Sequence, residues 1–322
     1  MVENQEIDRL IGKFIDKKYL LNMGKNKLAK QLKTTADNIL IAKKAAYSII
    51  RESEAKENIL KLPKILIFDI ETSPLEAYVY QKSVWKANIG ADKIISPWYT
   101  LTWSAKWLFS EEILSDRLTE EEAIDEDDKR IVKSLWDLFD QADVLIAHNG
   151  DGFDIPNMNT RFLVNGLTPP SPYQRIDTLK VARKEFGFTH NGLDALAGTL
   201  GLEGKISTNF DLWKRCKRGE DAALIEMETY NQQDVKLLEE VYLEVRPWIR
   251  SHPSAALFIE SESMVCPACG HNHLEQKGHY FTQVSKFETY QCQNPKCGAY
   301  SRARKNLVPD NIKKNLLVSI SR

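Results

Sequence analysis

The order of apolar and polar positions divides the chain into three parts. Residues 1–60 are rich in Lys, Leu, Ala and Ile and contain no proline, which indicates helices. In residues 61–250, short apolar runs of strand type alternate with segments of helical spacing, the pattern of an α/β domain around a mixed sheet. Residues 251–322 hold a cysteine cluster and a basic tail. We therefore expect a helical module, an α/β domain and a small C-terminal module.

One strand signal ends in two carboxylates. Residues 64–71 read KILIFDIE, and the apolar part is typical of a strand buried on both faces. Side chains alternate along a strand, so Asp69 and Glu71 point to the same side. Such a pair repels unless a cation lies nearby, but it is also common at ordinary exposed strand ends. Whether this pair belongs to a cation site or to an exposed strand end depends on whether other segments supply further carboxylates.

A second buried strand is predicted at residues 144–147, and HNGDGFDIP follows it. Two glycines permit a tight turn, and Phe153 can insert into the core. Asp154 lies where the next helix begins, so its carboxylate would turn back towards the strand ends. Asp151 is the alternative acid, but the neighbouring Phe153 favours Asp154.

A late segment with helical periodicity supplies a further acid and a phenol. Tyr230 and Asp234 are four residues apart and share one face of that helix. Taken alone, Tyr230 would be interpreted as a core tyrosine with a satisfied hydroxyl. An acid and a phenol facing the same site are more specific.

The remaining central segments complete the α/β pattern. Residues 99–109 have strand character, and residues 129–141 and 156–165 have helical spacing. Residues 111–128 are acidic, with Arg117 as the only basic residue, and predict a solvated loop.

Asp-Ile-Glu-Thr at a strand end, Asn-x3-Phe-Asp after another strand and Tyr-x3-Asp on a late helix occur in this order. In this combination the chain resembles the tyrosine-bearing subgroup (DEDDy) of the DEDD superfamily of 3′-5′ exonucleases. Within it, the chain is similar to stand-alone phage exonucleases and to the exonuclease domain of family B DNA polymerases. Further supporting phrases are ETSPLEAYVY, WYTLTWSAKWL, RIDTLKVARKEFGF and HNGLDALAGTLGL.

The resemblance implies a ribonuclease H-like fold and a site that uses two Mg²⁺ or Mn²⁺ ions. Asp69 would bridge the ions, and Glu71 and Asp234 would complete the shell of the first. Asp154 would hold the second directly or through water, and Tyr230 would orient the attacking water. Two ions about 4 Å apart would stabilise the attacking and leaving oxygens of the phosphodiester. Oxygen ligands favour these ions over zinc.

Several residues are candidates for contacts with nucleic acid. Some lie within the matched motifs, and others belong to two basic stretches that could hold phosphates. For the basic stretches, a solvated surface is an equally good interpretation. The candidates are Thr72, Asn149, Phe153, Lys180, Arg183, Lys214 and Arg215.

His148 follows the strand at residues 144–147 and would be a tempting general base. In the histidine-bearing subgroup, the catalytic histidine lies five residues before the last acid, where this chain has Thr229. We therefore expect His148 to be structural or to face the substrate.

Four of the five cysteines fall within residues 266–297, as C-x2-C and C-x4-C pairs separated by 22 residues. We expect no secretory signal, which disfavours disulfides, and each pair precedes a glycine, as in the knuckles of a zinc ribbon. Residues 280–289 can form a hairpin, and His271 and His273 are expected on the surface. The isolated Cys216 is expected to be inert. The predicted closed site for one structural Zn²⁺ consists of Cys266, Cys269, Cys292 and Cys297.

The N-terminal module contains two amphipathic stretches, at residues 24–32 and 36–50. Between them, Thr35 has the character of an N-cap. This spacing is typical of a helix-turn-helix whose second helix would read DNA, and a plain helical hairpin is an equal alternative. Residues 51–58 are predicted to be a charged helical linker.

Composition adds limits rather than a function. With 43% hydrophobic and 28% charged residues and a net charge of −1, the chain is typical of a globular protein. No apolar run reaches the roughly 20 residues of a membrane span, and the first residues are polar. We expect a cytoplasmic protein, in the host cytoplasm if phage-encoded, without a membrane partner.

The sequence is therefore interpreted as a metal-dependent 3′-5′ DNA exonuclease that releases nucleoside monophosphates in replication, repair or recombination. Single-stranded or frayed 3′ ends are the expected substrate, and a DNA polymerase or other replication protein is the candidate partner. An exoribonuclease of the ribonuclease D type is the nearest alternative, because the acids do not read the sugar. A non-catalytic DNA-binding regulator or replication-assembly factor is another, which the presence of all four acids and Tyr230 disfavours.

Overall fold

The computed structural model describes residues 2–60, 62–80, 89–202, 208–259 and 261–320. The chain divides into two compact units. One consists of Met1–Leu62 together with Ser254–Arg322, and the other consists of Pro63–Pro253.

The N-terminal part of the first unit is helical. It contains α1 (Val2–Asp16), a 3-10 turn, α2 (Lys25–Leu32) and α3 (Ala36–Leu60). The Thr35 side chain accepts a hydrogen bond from the backbone N–H of Asn38 (3.1 Å), which confirms the N-cap. Residues 51–58, predicted to be a separate linker, instead continue α3, since nothing there breaks a helix.

The apolar stripes predicted for α2 and α3 form the core of this helical part. Leu28 of α2 and Ile39, Ala42 and Ala46 of α3 are fully buried in one cluster with Phe14 of α1. The helical periodicity is thus confirmed. The assignment of α2 and α3 as a DNA-reading helix-turn-helix stays a prediction.

A five-stranded mixed sheet forms the centre of the Pro63–Pro253 unit. In the order of the sheet, a central strand pairs antiparallel with its neighbour on one side and parallel with its neighbour on the other. Along the chain, a separate two-stranded ribbon comes between the first two strands of the large sheet. The strands are β1 (Ile65–Thr72), β2 (Glu76–Ala77), β3 (Ile94–Ser96), β4 (Thr100–Trp107), β5 (Leu114–Arg117), β6 (Val144–Ala147) and β7 (Gln174–Asp177), and the sheet order is β5-β4-β1-β6-β7.

Helices connect and cover these strands. The mixed α/β class is confirmed, and the predicted strand at residues 144–147 has the predicted bounds. The helices are α4 (Glu120–Asp125), α5 (Lys129–Phe139), α6 (Asp154–Val164), α7 (Thr178–Glu185), α8 (Leu193–Leu200), α9 (Phe210–Lys217) and α10 (Asp221–Val245).

The two faces of β1 pack against different parts of the core. Phe68 belongs to the cluster that contains Phe139 of α5, whereas Ile67 packs with Val235 and Leu238 of α10. Side chains alternate along a strand, so Asp69 continues the row of Ile67. The β1 carboxylates therefore lie on the side of the sheet that α10 covers.

The acidic stretch at residues 111–128 is not a solvated loop, and that prediction was wrong. It contains β5 and α4, and Thr119 begins α4 with a capping box that includes Glu122. Its last residue, Asp128, is fully buried and accepts hydrogen bonds from the Arg161 guanidinium at 2.5 and 2.6 Å. The charges of this stretch thus serve as caps and ion-pair partners.

The C-terminal part of the first unit is a small three-stranded sheet of order β10-β9-β8. The predicted hairpin at residues 280–289 is confirmed and is longer than expected. Within the described part of the chain, no helix combines the length and apolar character needed to cross a membrane. The elements are α11 (Ala256–Ile259), β8 (Leu274–Phe281), β9 (Lys286–Cys292), β10 (Tyr300–Arg302) and α12 (Asp310–Lys313).

Candidate active site

Three elements bring the five side chains of the predicted catalytic set together. Asp69 and Glu71 come from the end of β1, Asp154 from the first turn of α6, and Tyr230 and Asp234 from the middle of α10. One carboxylate oxygen each of Asp69, Glu71 and Asp234 lies within 4.8 Å of the others. Asp154 is close enough for its charge to act on Asp69. All four acids therefore share one site.

A tight turn after β6 directs Asp154 into this site. A side chain on Gly150 would come within 2.6 Å of the Ala147 side chain, so the turn requires glycine there. The backbone N–H of Ile70 in β1 hydrogen-bonds to the Asp154 carboxylate. Asp151, the alternative acid, instead forms an ion pair with Lys180 at 2.7 Å.

Phe153 does not insert into the core, and that expectation was wrong. Its side chain remains 40% exposed, whereas the next residue, Asp154, is 2% exposed. The start of α6 thus turns the acid inwards and leaves the ring at the surface.

Two partly buried hydrogen bonds hold the β1 carboxylates. Asn231 Nδ2 of α10 donates to Asp69 Oδ2 at 2.6 Å, and Trp213 Nε1 of α9 donates to Glu71 Oε2 at 3.2 Å. Sequence reasoning missed the role of Asn231, although it is three residues from Asp234 and so faces the same way on a helix. The role of Trp213 was missed as well, because no local spacing links that residue to Glu71, which lies 142 positions earlier in the chain.

Without a bound cation, burial and the repulsion between their negative charges raise the pKa values of these acids. Burial, followed by the charges of Asp154, Glu71 and Asp234, raises the pKa of Asp69 well above its usual range. Burial and the charge of Asp234 raise the pKa of Glu71 to about 8. Burial likewise raises the pKa of Asp154 to about 7, against two backbone hydrogen bonds that lower it. Without a cation, burial and mutual repulsion therefore favour the protonated forms of Asp69, Glu71 and Asp154.

The donor set fits a hard divalent cation. The Asp154 Oδ1 atom is buried and has no hydrogen-bond partner among the described residues. Asp69, Glu71 and Asp234 have the arrangement of a group that could hold a metal ion. Carboxylate oxygens are the ligands that Mg²⁺ and Mn²⁺ prefer. An ion would use the orphaned oxygen and remove the mutual repulsion.

Tyr230 lies beside these acids as a neutral phenol. Its hydroxyl hydrogen-bonds to Asp234, and burial together with that neighbour raises its pKa above the usual range. The ring packs edge-on against Trp213, with the ring centroids 6.3 Å apart. The tyrosine can therefore donate a hydrogen bond at any physiological pH.

The candidate nucleic-acid contacts fall in separate places. Thr72 lines an open groove of about 410 Å³ with Phe210 and Trp213, and Lys214 Nζ lies 5.4 Å from the Phe210 ring centroid. Asn149 lies in the turn before α6 with a φ of 70°, next to the exposed Phe153.

The other basic candidates have protein partners or lie apart from that groove. Lys180 borders a different cavity of about 250 Å³ beside Asp151, and Arg183 is exposed on α7. Arg215 is held by Glu220 at 3.0 Å and by Glu226 at 3.1 Å.

His148 has a structural environment. Its Nδ1 and Nε2 atoms each lie 2.8 Å from a partner, the Thr178 hydroxyl and the Asn191 carbonyl. Burial lowers its pKa. The ring is thus engaged on both nitrogens.

Four free thiols converge in the C-terminal sheet. The sulfur atoms of Cys266 and Cys297 are 3.8 Å apart, those of Cys269 and Cys292 are 3.6 Å apart, and all four lie within 4.8 Å of one another. Gly270 has a φ of 73°, which allows the first knuckle to close. Four soft donors in a closed cluster fit a structural zinc ion.

The fifth cysteine is isolated. Cys216 is buried, its thiol donates to the Ala223 carbonyl at 3.3 Å, and burial raises its pKa to about 12. It therefore stays a protonated thiol of low reactivity.

One family model matches part of the larger unit. The family model of the RNase H superfamily matches residues 110–245, a range that includes Asp154, Tyr230 and Asp234 and begins after β1. None of the curated proteins compared matches the chain. The family B DNA polymerase from the hyperthermophilic archaeon Pyrobaculum calidifontis is similar at 14% identity and a TM-score of 0.40, over 62% of this chain and 27% of that chain. This chain thus spans a minor part of that polymerase's length.

The match to the RNase H superfamily model supports a nuclease. The larger unit, with its mixed sheet flanked by helices, has a ribonuclease H-like fold.

Proposed function

We propose that this protein is a metal-dependent 3′-5′ DNA exonuclease of the DEDDy type that releases nucleoside monophosphates. The observation that carries the proposal is the convergence of four carboxylates and one phenol from β1, α6 and α10. These residues belong to the three motifs by which the sequence resembles the DEDDy exonucleases. A phosphodiester substrate is consistent with a cluster of acids that needs cations.

The acids would hold two Mg²⁺ or Mn²⁺ ions. Asp69 would contact both ions, Glu71 and Asp234 would complete the shell of the first ion, and Asp154 would hold the second ion with its unpaired Oδ1. When bound, such ions lower the pKa of water and offset the charge that develops on a phosphodiester.

The neighbouring side chains have supporting roles. Tyr230, kept as a phenol, can orient a water molecule by donating or accepting a hydrogen bond. Asn231 fixes the Asp69 carboxylate, and Trp213 fixes that of Glu71. Both bonds favour the ionised form of the acid that a metal ion requires.

The other modules are assigned by the same reasoning. The four-cysteine cluster would hold one structural Zn²⁺ in a zinc ribbon within residues 251–322. Residues 1–60 would form a helical, DNA-contacting module, and residues 61–250 would form the exonuclease domain. A phage replication system, with a DNA polymerase as partner, is the proposed context.

End-labelled single-stranded DNA, double-stranded DNA and RNA, digested with Mg²⁺ or Mn²⁺, would test the function. We expect mononucleotides released from 3′ ends of DNA, and Asp69→Ala and Asp154→Asn to lose more than the roughly 100-fold typical of an outer-shell change. The matched control is Asp151→Asn, because Asp151 pairs with Lys180 instead, and it should keep the activity.

Three outcomes would contradict the proposal. Faster digestion of RNA than of DNA would identify an exoribonuclease. Binding of DNA without digestion would identify a non-catalytic regulator. Full activity of Asp69→Ala would refute the site assignment.

A further inference from the structure

The three-stranded C-terminal sheet carries a set of aromatic and cationic side chains on one face. Tyr280 of β8 pairs with Phe287 of β9, and Tyr300 and Arg302 of β10 pair with Gln291 and Thr289 of β9. Paired residues of neighbouring strands point to the same side, and so do alternate residues along a strand. Both tyrosines, Phe287 and Arg302 therefore share this face, which we call the tyrosine face.

Arg302 organises the tyrosine face. Its guanidinium lies 4.2 Å from the ring centroid of Phe287 and 5.7 Å from that of Tyr280. Phe287 is buried beneath it, whereas Tyr280 is 49% and Tyr300 is 63% exposed. Two open rings thus flank one cation, and the register places the two tyrosines about 16 Å apart along the diagonal of the sheet.

The chain segment that contains this sheet carries a positive net charge. Residues 264–320 contain eight lysines and arginines against three acidic residues. Each of these acids already has a partner: Glu275 accepts from Lys277, Glu288 from the Tyr290 hydroxyl, and Asp310 from Lys313. The segment thus keeps a positive net charge, which favours an anionic ligand.

We propose that the tyrosine face binds single-stranded DNA, with bases stacked on Tyr280 and Tyr300 and the intervening backbone held by Arg302. Exposed rings alternating with cations are the arrangement by which proteins hold unpaired strands without sequence preference. Duplex DNA offers no free base faces to such rings. The proposal rests on the proposed DNA exonuclease function, for which this face would retain the strand that is being digested.

Fluorescence anisotropy of a labelled oligothymidylate measures this binding directly. The full-length, zinc-loaded protein would carry Asp69→Asn to prevent digestion. The double variant Tyr280→Ala/Tyr300→Ala should bind roughly 30-fold or more weakly, since each stacked base contributes on the order of 1 kcal/mol or more. Tyr280→Phe/Tyr300→Phe keeps both rings and should bind as the parent does.

Phe281 provides the matched control. It is the neighbour of Tyr280 along β8, is 64% exposed and points to the opposite face. Phe281→Ala should therefore leave the affinity unchanged. Arg302→Ala should reduce the slope of log affinity against log salt concentration by about 0.7, the value for one lost phosphate contact on a single strand.

The outcomes separate this proposal from the proposed function. Hydrolysis of the p-nitrophenyl ester of thymidine 5′-monophosphate by protein with an intact Asp69 reports the carboxylate site alone, and the tyrosine variants should retain it. Unchanged oligothymidylate binding by the double alanine variant, with its zinc content and circular dichroism intact, would overturn the proposal. Equal losses for Phe281→Ala would do the same, and so would tyrosine variants that lose affinity for an oligouridylate while keeping their affinity for the oligothymidylate.

Discussion

The indole nitrogen of Trp213 donates a hydrogen bond to Oε2 of Glu71 across 3.2 Å. The same ring packs edge-on against Tyr230, so one side chain of α9 contacts both a β1 carboxylate and the α10 phenol. This bond lowers the pKa of Glu71, in opposition to burial and the charge of Asp234, which raise it. Trp213 therefore favours the ionised carboxylate in one orientation.

Trp213→Phe should weaken metal activation while preserving the packing. Phenylalanine retains a ring against Tyr230 but has no N–H for Glu71. Loss of a partner that orients a metal ligand commonly costs roughly 10- to 100-fold in metal affinity or activity. We expect the Mg²⁺ concentration for half-maximal activity to rise by about 10-fold, measured by titrating the metal at saturating DNA.

Trp136→Phe is the control for this prediction. Its indole also donates a hydrogen bond, to the Thr168 carbonyl at 2.7 Å, but it belongs to α5 and not to the carboxylate cluster. It should leave the metal dependence unchanged. Identical Mg²⁺ titrations for Trp213→Phe and the parent protein would refute the positioning role.

The relationships of Asp69 to Glu71 and of Tyr230 to Asp234 could be predicted from sequence because each pair depends on a short-range repeat. Alternation along β1 puts Asp69 and Glu71 on one side, and the helical repeat puts Tyr230 and Asp234 on one face of α10. Backbone geometry determines side-chain direction over such distances. The apolar run before Asp69 then identifies the strand as buried.

Contacts between residues far apart in the chain leave no local pattern in the sequence. Trp213 and Glu71 are 142 residues apart, and only the packing of α9 brings the indole to the end of β1. For Phe153 the local pattern was misleading, since an apolar residue between two core segments predicts burial. The structure leaves it exposed because Asp154, its neighbour, takes the inward position at the start of α6.

The stability of the metal-free protein should fall as pH rises. Glu71 has a pKa raised to about 8 and Asp154 to about 7, against the usual values near 4 of unfolded chains. The native state therefore binds more protons than the unfolded state between about pH 4 and 8, so the free energy of unfolding decreases across this window. The expected loss is on the order of a few kcal/mol, visible in thermal melts recorded with EDTA.

Divalent ions should reverse this loss. In the proposed site Mn²⁺ would bind the ionised carboxylates, so the increase in Tm that it produces should grow from about pH 5 to about pH 8. Glu71→Gln removes one titrating acid, and it should melt at a higher temperature than the parent in EDTA near the upper limit of this range. A Tm that does not change with pH in EDTA would show that ionisation of these acids does not destabilise the native state.

Removal of zinc should unfold the C-terminal sheet without inactivating the carboxylate site. Cys269→Ser would break the proposed set of four zinc ligands, and a module this small would depend on such a metal for folding. We expect the zinc content to fall from one per chain to below the detection limit and new proteolytic cleavage within residues 261–320. Hydrolysis of a small thymidine phosphodiester should persist.

Cys216→Ser is the matched cysteine control. This thiol is buried in the other unit and donates to the Ala223 carbonyl, a bond that a serine hydroxyl can replace. Its zinc content should equal that of the parent protein. Retention of zinc by Cys269→Ser would count against the four-thiol site.

Loss of Asp128 should destabilise the larger unit far more than loss of a surface acid. Asp128 is fully buried and accepts two hydrogen bonds from Arg161 and one from the backbone N–H of Thr100, at 2.9 Å. Asp128→Ala leaves the guanidinium without its carboxylate and should cost about 3–5 kcal/mol in urea unfolding. Asp137→Ala, which breaks the exposed helical pair with Lys133, should cost less than about 0.5 kcal/mol.

The double variant Asp128→Ala/Arg161→Ala tests whether this cost comes from the stranded charge. Removing both partners leaves no buried guanidinium to compensate, so the double variant should be less destabilised than the sum of the two single variants. Strict additivity would instead assign the cost to lost packing and to the other two donors of Asp128, the Thr100 backbone N–H and the Asn165 side-chain amide. The presence or absence of this coupling thus decides whether Asp128 stabilises the unit through its ion pair with Arg161 or through its other contacts.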